Sequence, residues 1–318
     1  MSTSEGQNGY ISPTHPNPMG PHDARIIIYG YVPSFALCIL AITLFTLACL
    51  LHLFQSLRYK TYYFLPLTFA CLLETIGYVF RSLSAKRDPY NIIDFVVQYF
   101  CIVTAPVFIS ASIYVCLSRL ITWAEGEGFL STGQKQRVRR FLNPKAILYT
   151  FITADILCTI IQITGAALTG SAESNHRSPT TPNNILLSGL VIQTFFFTLF
   201  LVLLCTFYHT VLPSSSPGPP AVRAKIPFFV ALLGASLLVY LRTIFRLAET
   251  SQGVFGNLST HEGYFAGLEF APVVVAVAGL GGWHPGRWIT GRVVRGGEGG
   301  GGEGEGEGEG VTEVEGKG

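Results

Sequence analysis

The chain of 318 residues has a formal net charge of +2, and only 13% of its residues are charged while 49% are hydrophobic. Soluble domains carry about 25% charged residues, so the composition excludes a protein whose surface lies mainly in water. The mean hydropathy of +0.43 and the clustering of apolar residues into long runs are typical of an integral membrane protein.

The first 30 residues are polar and rich in proline, serine and glycine. They lack the basic start, apolar stretch and small-residue cleavage site of a secretory signal peptide. We therefore expect residues 1–30 to form a disordered segment outside the cell. Targeting to the membrane then depends on the first apolar run.

Seven apolar stretches follow, each near or above the ~20 residues that cross a bilayer as a helix. They cover 31–55, 62–84, 92–121, 146–169, 184–210, 226–248 and 264–283. Backbone groups in lipid need hydrogen-bond partners within the segment, so helices are the only plausible form. The predicted fold is an all-α bundle of seven transmembrane helices over residues 31–290. Prolines that bundled helices tolerate occur in or at the starts of five spans: Pro33, Pro66, Pro106, Pro227 and Pro272.

Lysines and arginines predict the orientation of the bundle. Twelve of them lie in the loops after spans one, three and five and in the tail up to Arg295, against four on the other side. Because positive loops stay in the cytosol, we predict an outer N-terminus and a cytosolic C-terminus. The basic stretch Lys135–Arg140 also suits contact with anionic lipid. The sequon at Asn257 falls in a predicted outer loop, and the Gly/Glu-rich tail over 291–318 is expected to be disordered in the cytosol.

Seven ionisable residues remain inside the spans or at their edges, mostly in the predicted outer half of the bundle. An acid or arginine at the bilayer centre costs at least ~2.5–3.5 kcal/mol, so these side chains should face the bundle interior. The seven are Glu74, Arg81, Asp155, Arg242, Arg246, Glu249 and Glu269. Further polar side chains at membrane depth are Gln98, Gln162, Gln193, Tyr78, Tyr114 and Tyr240.

Two explanations of these charges stay open. One is an ion-pair network that fixes helix register. The other is a polar cavity, open outward, that receives a ligand with a charged or hydrogen-bonding head group. In either case we expect Arg242 to pair with Glu74 or Glu269, and Glu249 to pair with Arg81.

The ordered set of motifs in these spans resembles the fungal lipid-translocating exporter family that is named for resistance to aminocholesterol and called RTA-like. The resemblance covers about residues 25–290. It rests on Tyr31-Val-Pro33-Ser34, Glu74-Thr-Ile-Gly77-Tyr78 with Arg81, Ala105-Pro106, Ala111-Ser112-Ile-Tyr114, Asp155 with Gln162 and Gly165, Gly189 with Gln193, Arg242-Thr-Ile-Phe-Arg246, Glu249, Gly253, Glu262, Tyr264 and His284-Pro285-Gly286.

The resemblance implies a multi-pass protein of the plasma membrane or an endomembrane. Members are linked to export or flipping of sphingoid long-chain bases and other lipids, and to tolerance of toxic amphiphiles. Glu74, Asp155 and Glu269 are then the candidates for binding an ammonium head group. Arg242 and Arg246 would bind a phosphate or hold the acids in place. Glu269 stands where the family usually has Asp, so the charge is kept on a longer side chain. The expected binding set is Glu74, Tyr78, Arg81, Tyr114, Asp155, Gln162, Gln193, Arg242, Arg246, Glu249 and Glu269.

Other classes fit less well. A seven-span receptor or sensor for amphiphiles shares the predicted orientation, but the inner end of span three, LSRLITW, lacks an acidic-Arg-aromatic switch. A retinal protein needs a lysine that span seven does not contain. A metal hydrolase would use His52, His209 and His284 as zinc ligands, yet no HxxxH or HExxH pair supports it. No P-loop is present. We therefore predict no enzyme and no cofactor, with membrane lipids or amphiphiles as partners and no nucleic acid.

Overall fold

The computed structural model describes residues 11–15, 20–126, 143–174, 180–211, 225–253 and 256–288. Within these ranges the chain is helical and contains no named strand. Seven of its helices are long and apolar enough to cross a membrane, which confirms the predicted bundle. The basic stretch Lys135–Arg140 and the tail over 291–318 lie outside the described residues.

Most ends of the seven spans differ from the predicted bounds by a few residues. Hydropathy does not mark a helix end sharply where the helix leaves the lipid. Six of them are α1 (Phe35–Arg58), α2 (Leu65–Lys86), α3 (Ile92–Gly126), α4 (Pro144–Ser174), α5 (Thr180–Val211) and α6 (Ile226–Ser251). The seventh, α7, covers Glu262–Trp288 and is composite.

The spans form a closed ring in which each helix packs against the next and α7 returns to α1. Helix α3 makes additional contacts with α6. In its most apolar stretch 78% of the residues are buried, against 22% for α1. Helix α3 therefore lies at the centre of the bundle, while α1 presents most of its surface to lipid.

Helix α7 changes its winding inside the membrane. A short turn, Glu262–Tyr264, leads into a π-helical segment, Phe265–Phe270, and an α-helix follows over Ala271–Gly282. Pro272 has no N–H, and its ring would crowd the carbonyl four residues earlier in a regular α-helix. The wider π turn just before it avoids this clash, and π segments of this kind are frequent at functional sites.

Two glycines set the distance between α4 and α5. A Cβ atom added at Gly165 would lie 2.4 Å from the backbone nitrogen of Leu186, and one at Gly189 would lie 2.9 Å from the Gln162 side chain. Glycine therefore allows the two backbones to approach closely, as is common between membrane helices. This approach brings Gln162 and Gln193 together.

The described part of the N-terminal segment packs against the α2–α3 loop. The Ala24 amide donates to the Tyr90 carbonyl at 2.9 Å, and the Ile92 amide donates to the His22 carbonyl at 3.1 Å. Ile27 and Tyr29 are buried in a small apolar cluster with Tyr90. These contacts place residues 22–29 across the end of the bundle that is predicted to be outer. The predicted disorder of residues 1–30 stays a prediction.

A buried polar layer as candidate functional site

Arg242 and Glu269 form the central ion pair of the bundle. Arg242 comes from α6 and Glu269 from the π segment of α7, and their Nη2 and Oε1 atoms lie 2.5 Å apart. Arg242 is 5% exposed and Glu269 1% exposed. The pairing is one of the two predicted for Arg242, and it occurs away from lipid, as the cost of a lone buried charge requires.

The same guanidinium also binds the backbone of α3. Arg242 Nη2 donates to the Ile102 carbonyl at 2.8 Å. Four residues later stands Pro106, which has no N–H to donate to that carbonyl within the helix. The proline therefore frees an acceptor in the middle of the membrane, and Arg242 satisfies it. Gly77 lies against the Ile102 side chain, where an added Cβ would approach to 2.7 Å.

Glu74 of α2 is the third member of this group. It is 2% exposed and lies within electrostatic range of Arg242 and Glu269. Among the described residues it forms no direct ion pair. Two carboxyl groups thus lie near one guanidinium, and one of them is bound to it. The predicted pairing of Arg242 with Glu269 is confirmed, while the role of these residues in binding a substrate stays a prediction.

Tyr78 lies one turn after Glu74 and packs among aromatic rings rather than in a polar site. Its ring stacks on Phe45 at 5.8 Å and meets Phe270 edge-on at 5.6 Å. Tyr78 therefore belongs to the apolar core rather than to the predicted binding set's polar contacts.

A second polar group lies between α3, α4 and α5. Tyr114 donates its hydroxyl hydrogen to Asp155 Oδ2 at 2.8 Å, and Asp155 is 1% exposed. Its other oxygen, Oδ1, has no hydrogen-bond partner. Further along α4, Gln162 donates to Gln193 of α5 at 2.8 Å.

A small cavity separates the two polar groups. Its polar lining comes from four helices, α3 to α6, and consists of Ser110, Gln162, Gln193, Arg242, Thr243 and Arg246. Its volume is about 10 Å³, close to the minimum for a single water. The structure therefore differs from the predicted outward-open cavity, because packed side chains close the space in this conformation.

Arg246 and Glu249 lie on the predicted outer side of the cavity. They pair with each other at 2.8 Å as neighbours on one face of α6, and Arg246 also stands over the Tyr99 ring at 5.4 Å. The predicted Glu249–Arg81 pair is therefore wrong. The partner three residues away on the same helix is closer than one on α2.

Arg81 instead joins α2 to α7 and to the N-terminal segment. It donates to the Tyr31 hydroxyl at 2.6 Å and lies 3.6 Å from Glu262. The face of Phe265 covers its guanidinium at 4.1 Å. Glu262 also accepts the Ser34 amide hydrogen at 2.8 Å, so the start of α1 is tied to the same point.

Comparison with protein families decides the classification. The family model described as RTA1 like protein matches residues 67–292. The chain belongs to the RTA1-like family. The match covers α2 to α7 and so includes both polar groups.

Several fungal relatives of this RTA1-like chain carry names that state a function. A probable lipid transporter, atnI, of Emericella nidulans is 29% identical, with 83% of this chain and 69% of that protein covered. The sphingoid long-chain base transporter RSB1 of Saccharomyces cerevisiae is 29% identical, with 83% and 74% covered. Protoporphyrin uptake protein 1 of the same yeast is 22% identical, with 81% and 92% covered. No solved structure matches the chain significantly.

The histidines considered for zinc are not assembled in this RTA1-like bundle. His52 and His284 are buried with ring centres 6.3 Å apart, and His52 is hydrogen-bonded to the Val277 carbonyl at 3.1 Å. His209 is exposed on α5 beside Tyr208. The described residues contain no group of three metal-binding side chains.

The sequon residue Asn257 is exposed in a short helix, Asn257–Thr260.

Sequence reasoning missed two elements of the site. It did not pair Glu262 with Arg81, although Glu262 was among the family motifs. It also did not assign the Ile102 carbonyl as a partner for Arg242. The signal for this bond was Pro106, because a proline inside a membrane helix leaves a carbonyl that needs another donor.

Proposed function

We propose that this protein moves amphiphiles with a cationic head group, such as sphingoid long-chain bases, across a membrane and does not catalyse a reaction on them. The observation that carries the proposal is an excess of buried carboxyl groups over buried cations. Glu74 lies near Arg242, which is already paired with Glu269, and Asp155 has no ion pair among the described residues. An ammonium head group would supply the missing positive charge.

The other charges support this reading by their pairing. Arg81 is bound to Glu262 and Tyr31, and Arg246 is bound to Glu249. These arginines are already neutralised, so an anionic lipid would have to displace a carboxylate to bind them. The names of two relatives, a lipid transporter and a sphingoid long-chain base transporter, agree with a lipid cargo. The host membrane would be the plasma membrane or an endomembrane.

The direct test uses the purified full chain in liposomes with labelled sphingosine. Movement between leaflets should be faster than in protein-free liposomes. The matched control cargo is N-acetylsphingosine, which keeps the hydrocarbon chain but has no ammonium charge. Equal rates for the two cargoes, or no acceleration of sphingosine, would contradict the proposal.

A cellular test uses two variants of the polar layer. Glu74→Gln and Arg242→Ala should each abolish tolerance to added long-chain base while the protein still reaches its membrane. Arg58→Ala, at the exposed end of α1, serves as the control. If both layer variants express normally and the cells stay tolerant, the buried charges serve packing alone.

A sensor without transport is the second candidate, and the small closed cavity favours it. A space of about 10 Å³ cannot enclose a lipid head group without rearrangement of the bundle. A sensor would bind sphingosine with micromolar or tighter affinity in detergent and show no movement in liposomes.

A further inference from the structure

The carboxyl group of Asp155 is buried in the membrane part of the molecule and has no ion pair among the described residues. It comes from the middle of α4 and is 1% exposed. One oxygen accepts the Tyr114 hydroxyl hydrogen, and the other has no hydrogen-bond partner among the described residues. Aromatic rings pack around Tyr114, whose ring centre lies 4.5 Å from that of Phe200 and 5.5 Å from that of Phe151.

The helices packed against α4 bring no cation to this carboxyl group. Helix α3 contributes the Tyr114 hydroxyl, and α4 itself contributes the Cys158 thiol one turn away. Among the described residues of α5, no titratable side chain faces it. Arg242 and Arg246 lie on the opposite side of the cavity and are paired with Glu269 and Glu249.

Electrostatics limits the states that this site can adopt. An isolated carboxylate in the interior is strongly disfavoured, so the site is stable when it holds one positive charge, either a proton or a bound cation. Because only Oδ1 is free, the two cannot bind together. Occupation by one excludes the other.

We propose that Asp155 is an exchange site at which a proton and an ammonium head group compete, so that the protein is a proton/organic-cation antiporter. This inference rests on the proposed function. When the head group arrives, the O–H bond of the carboxyl group breaks, the proton passes to water, and the carboxylate is neutralised by the ammonium. On the other side of the membrane the steps reverse. One proton moves for each monovalent cation, and the site stays neutral in both states.

The surroundings of Asp155 provide a connection to the polar cavity. The Ser110 side chain lies beside the Tyr114 hydroxyl and lines the cavity with Gln162 and Gln193. The series Asp155, Tyr114 and Ser110 therefore leads from the Oδ2 atom of the carboxyl group to a space that holds about one water.

The test uses the full chain in liposomes that contain a pH-sensitive dye. The probe is N,N,N-trimethylsphingosine, because its fixed charge does not redistribute passively with pH. A gradient of about two pH units should give roughly 100-fold accumulation on the acidic side, since each unit corresponds to a factor of ten. Addition of the probe without a gradient should move protons in the opposite direction, one for each probe molecule.

Variants assign the exchange to this residue. Asp155→Asn should abolish both the gradient-driven accumulation and the proton movement. Asp94→Asn, an acid near the start of α3 that lies outside the cavity, should behave as the unchanged protein. Asp155→Glu keeps the carboxyl group and should retain proton movement. The loss in Asp155→Asn is then due to the missing carboxyl group rather than to a change of residue that the fold does not tolerate. Unimpaired coupling in Asp155→Asn would overturn the assignment.

The outcomes separate this inference from the proposed function. If the unchanged protein moves the probe at the same rate with and without a gradient, and no protons move, the antiport proposal is wrong while cation transport stands. If the probe does not move at all, both fail. Proton release on probe binding in weakly buffered detergent solution provides an independent check, with one proton per bound probe expected and none for Asp155→Asn.

Discussion

At the scale of single residues, Arg242 is the side chain on which the buried interactions of three helices depend. It pairs with Glu269 of α7, approaches Glu74 of α2 and donates to the Ile102 carbonyl of α3. The Nη2 atom donates to both Glu269 and the Ile102 carbonyl. A guanidinium has five donors and is more weakly hydrated than an ammonium, which makes arginine the usual residue for buried ion pairs.

Removing Arg242 should destabilise the bundle strongly. Arg242→Ala leaves two carboxyl groups without a cation, and breaking a buried pair costs about 3–5 kcal/mol. Addition of Glu269→Gln to that variant should recover part of the loss, because one lone charge is removed. Thermal unfolding in detergent measures both effects. A double variant that is less stable than Arg242→Ala would contradict the argument.

Pro106 and Arg242 should be energetically coupled. Pro106→Ala supplies an N–H that can donate to the Ile102 carbonyl. The hydrogen bond from Arg242 to that carbonyl then stabilises the bundle less. The fall in melting temperature on Arg242→Ala should then be smaller in the Pro106→Ala background, as a double-mutant cycle would show. Pro66→Ala is the control, because Pro66 occupies the first turn of α2, where no helical bond is lost. Equal falls in all backgrounds would mean that the two residues act independently.

At the scale of elements, the π segment of α7 sets the directions of two ion pairs. Glu262, before the segment, meets Arg81, and Glu269, within it, meets Arg242. Residues seven apart share a face of a regular α-helix, and the extra residue of a π turn offsets them by about 100°. The two acids therefore point in different directions, which suits partners on two different helices, α2 and α6.

Inserting an alanine after Gly267 should separate these pairs, whereas deleting Gly267 should keep them. Six residues of regular α-helix rotate by about 600°, as do seven residues with one π turn, so the deletion leaves both acids facing their arginines. The insertion adds about 100° and turns Glu262 or Glu269 away, with the loss of one buried pair, about 3 kcal/mol or more. Thermal unfolding measures the loss, and Gly267→Ala, where an added Cβ meets no atom within 4 Å, is the control. An insertion variant as stable as this control would contradict the argument.

The sequence predicts elements better than it predicts their pairing. Length and apolarity determine the seven spans, so their existence follows from composition alone. The π turn leaves no mark in hydropathy, because one extra residue per turn changes no residue type. The choice of Glu262 over Glu249 for Arg81 depends on the order and rotation of helices in the ring, which periodicity does not contain. The approach of Glu74, Glu269 and Arg242 was predictable, because lipid excludes each of them.

At the scale of the whole molecule, the N-terminal segment closes one end of the ring. Tyr31 and Ser34 bind Arg81 and Glu262, while Ala24 and Ile92 make backbone bonds across the α2–α3 loop. Burial raises the pKa of Tyr29 to about 12 despite the nearby Arg81 guanidinium, so this ring stays neutral at physiological pH. The segment therefore covers the ion pair between α2 and α7.

The attachment of this segment should weaken as pH rises. Burial, followed by the neighbouring Asp23 carboxyl group, raises the pKa of Asp88, although the Tyr90 amide acts in the opposite direction. A raised pKa in the folded state means that the protonated form is favoured when the segment is attached. The contribution is thus complete below the ordinary pKa of an aspartate and is lost as pH rises through the raised value.

Hydrogen exchange measures this effect. Protection of the Ala24 and Ile92 amides, corrected for the intrinsic pH dependence of exchange, should be higher near pH 4 than at pH 7. Asp88→Asn should remove the difference, since an amide does not titrate. Equal protection at the two pH values in the unchanged protein would contradict the role of this carboxyl pair.

The size of the space between α3, α4, α5 and α6 has a consequence for the kind of membrane in which this protein can work. In the proposed transport, a hydrocarbon tail does not fit into a volume of about 10 Å³, so the chain of the cargo stays among the surrounding acyl chains while the bundle rearranges around its head group. Turnover then depends on how freely those acyl chains move. Fluid, poorly ordered lipid should speed the protein, and sterol-rich or gel-phase lipid should slow it.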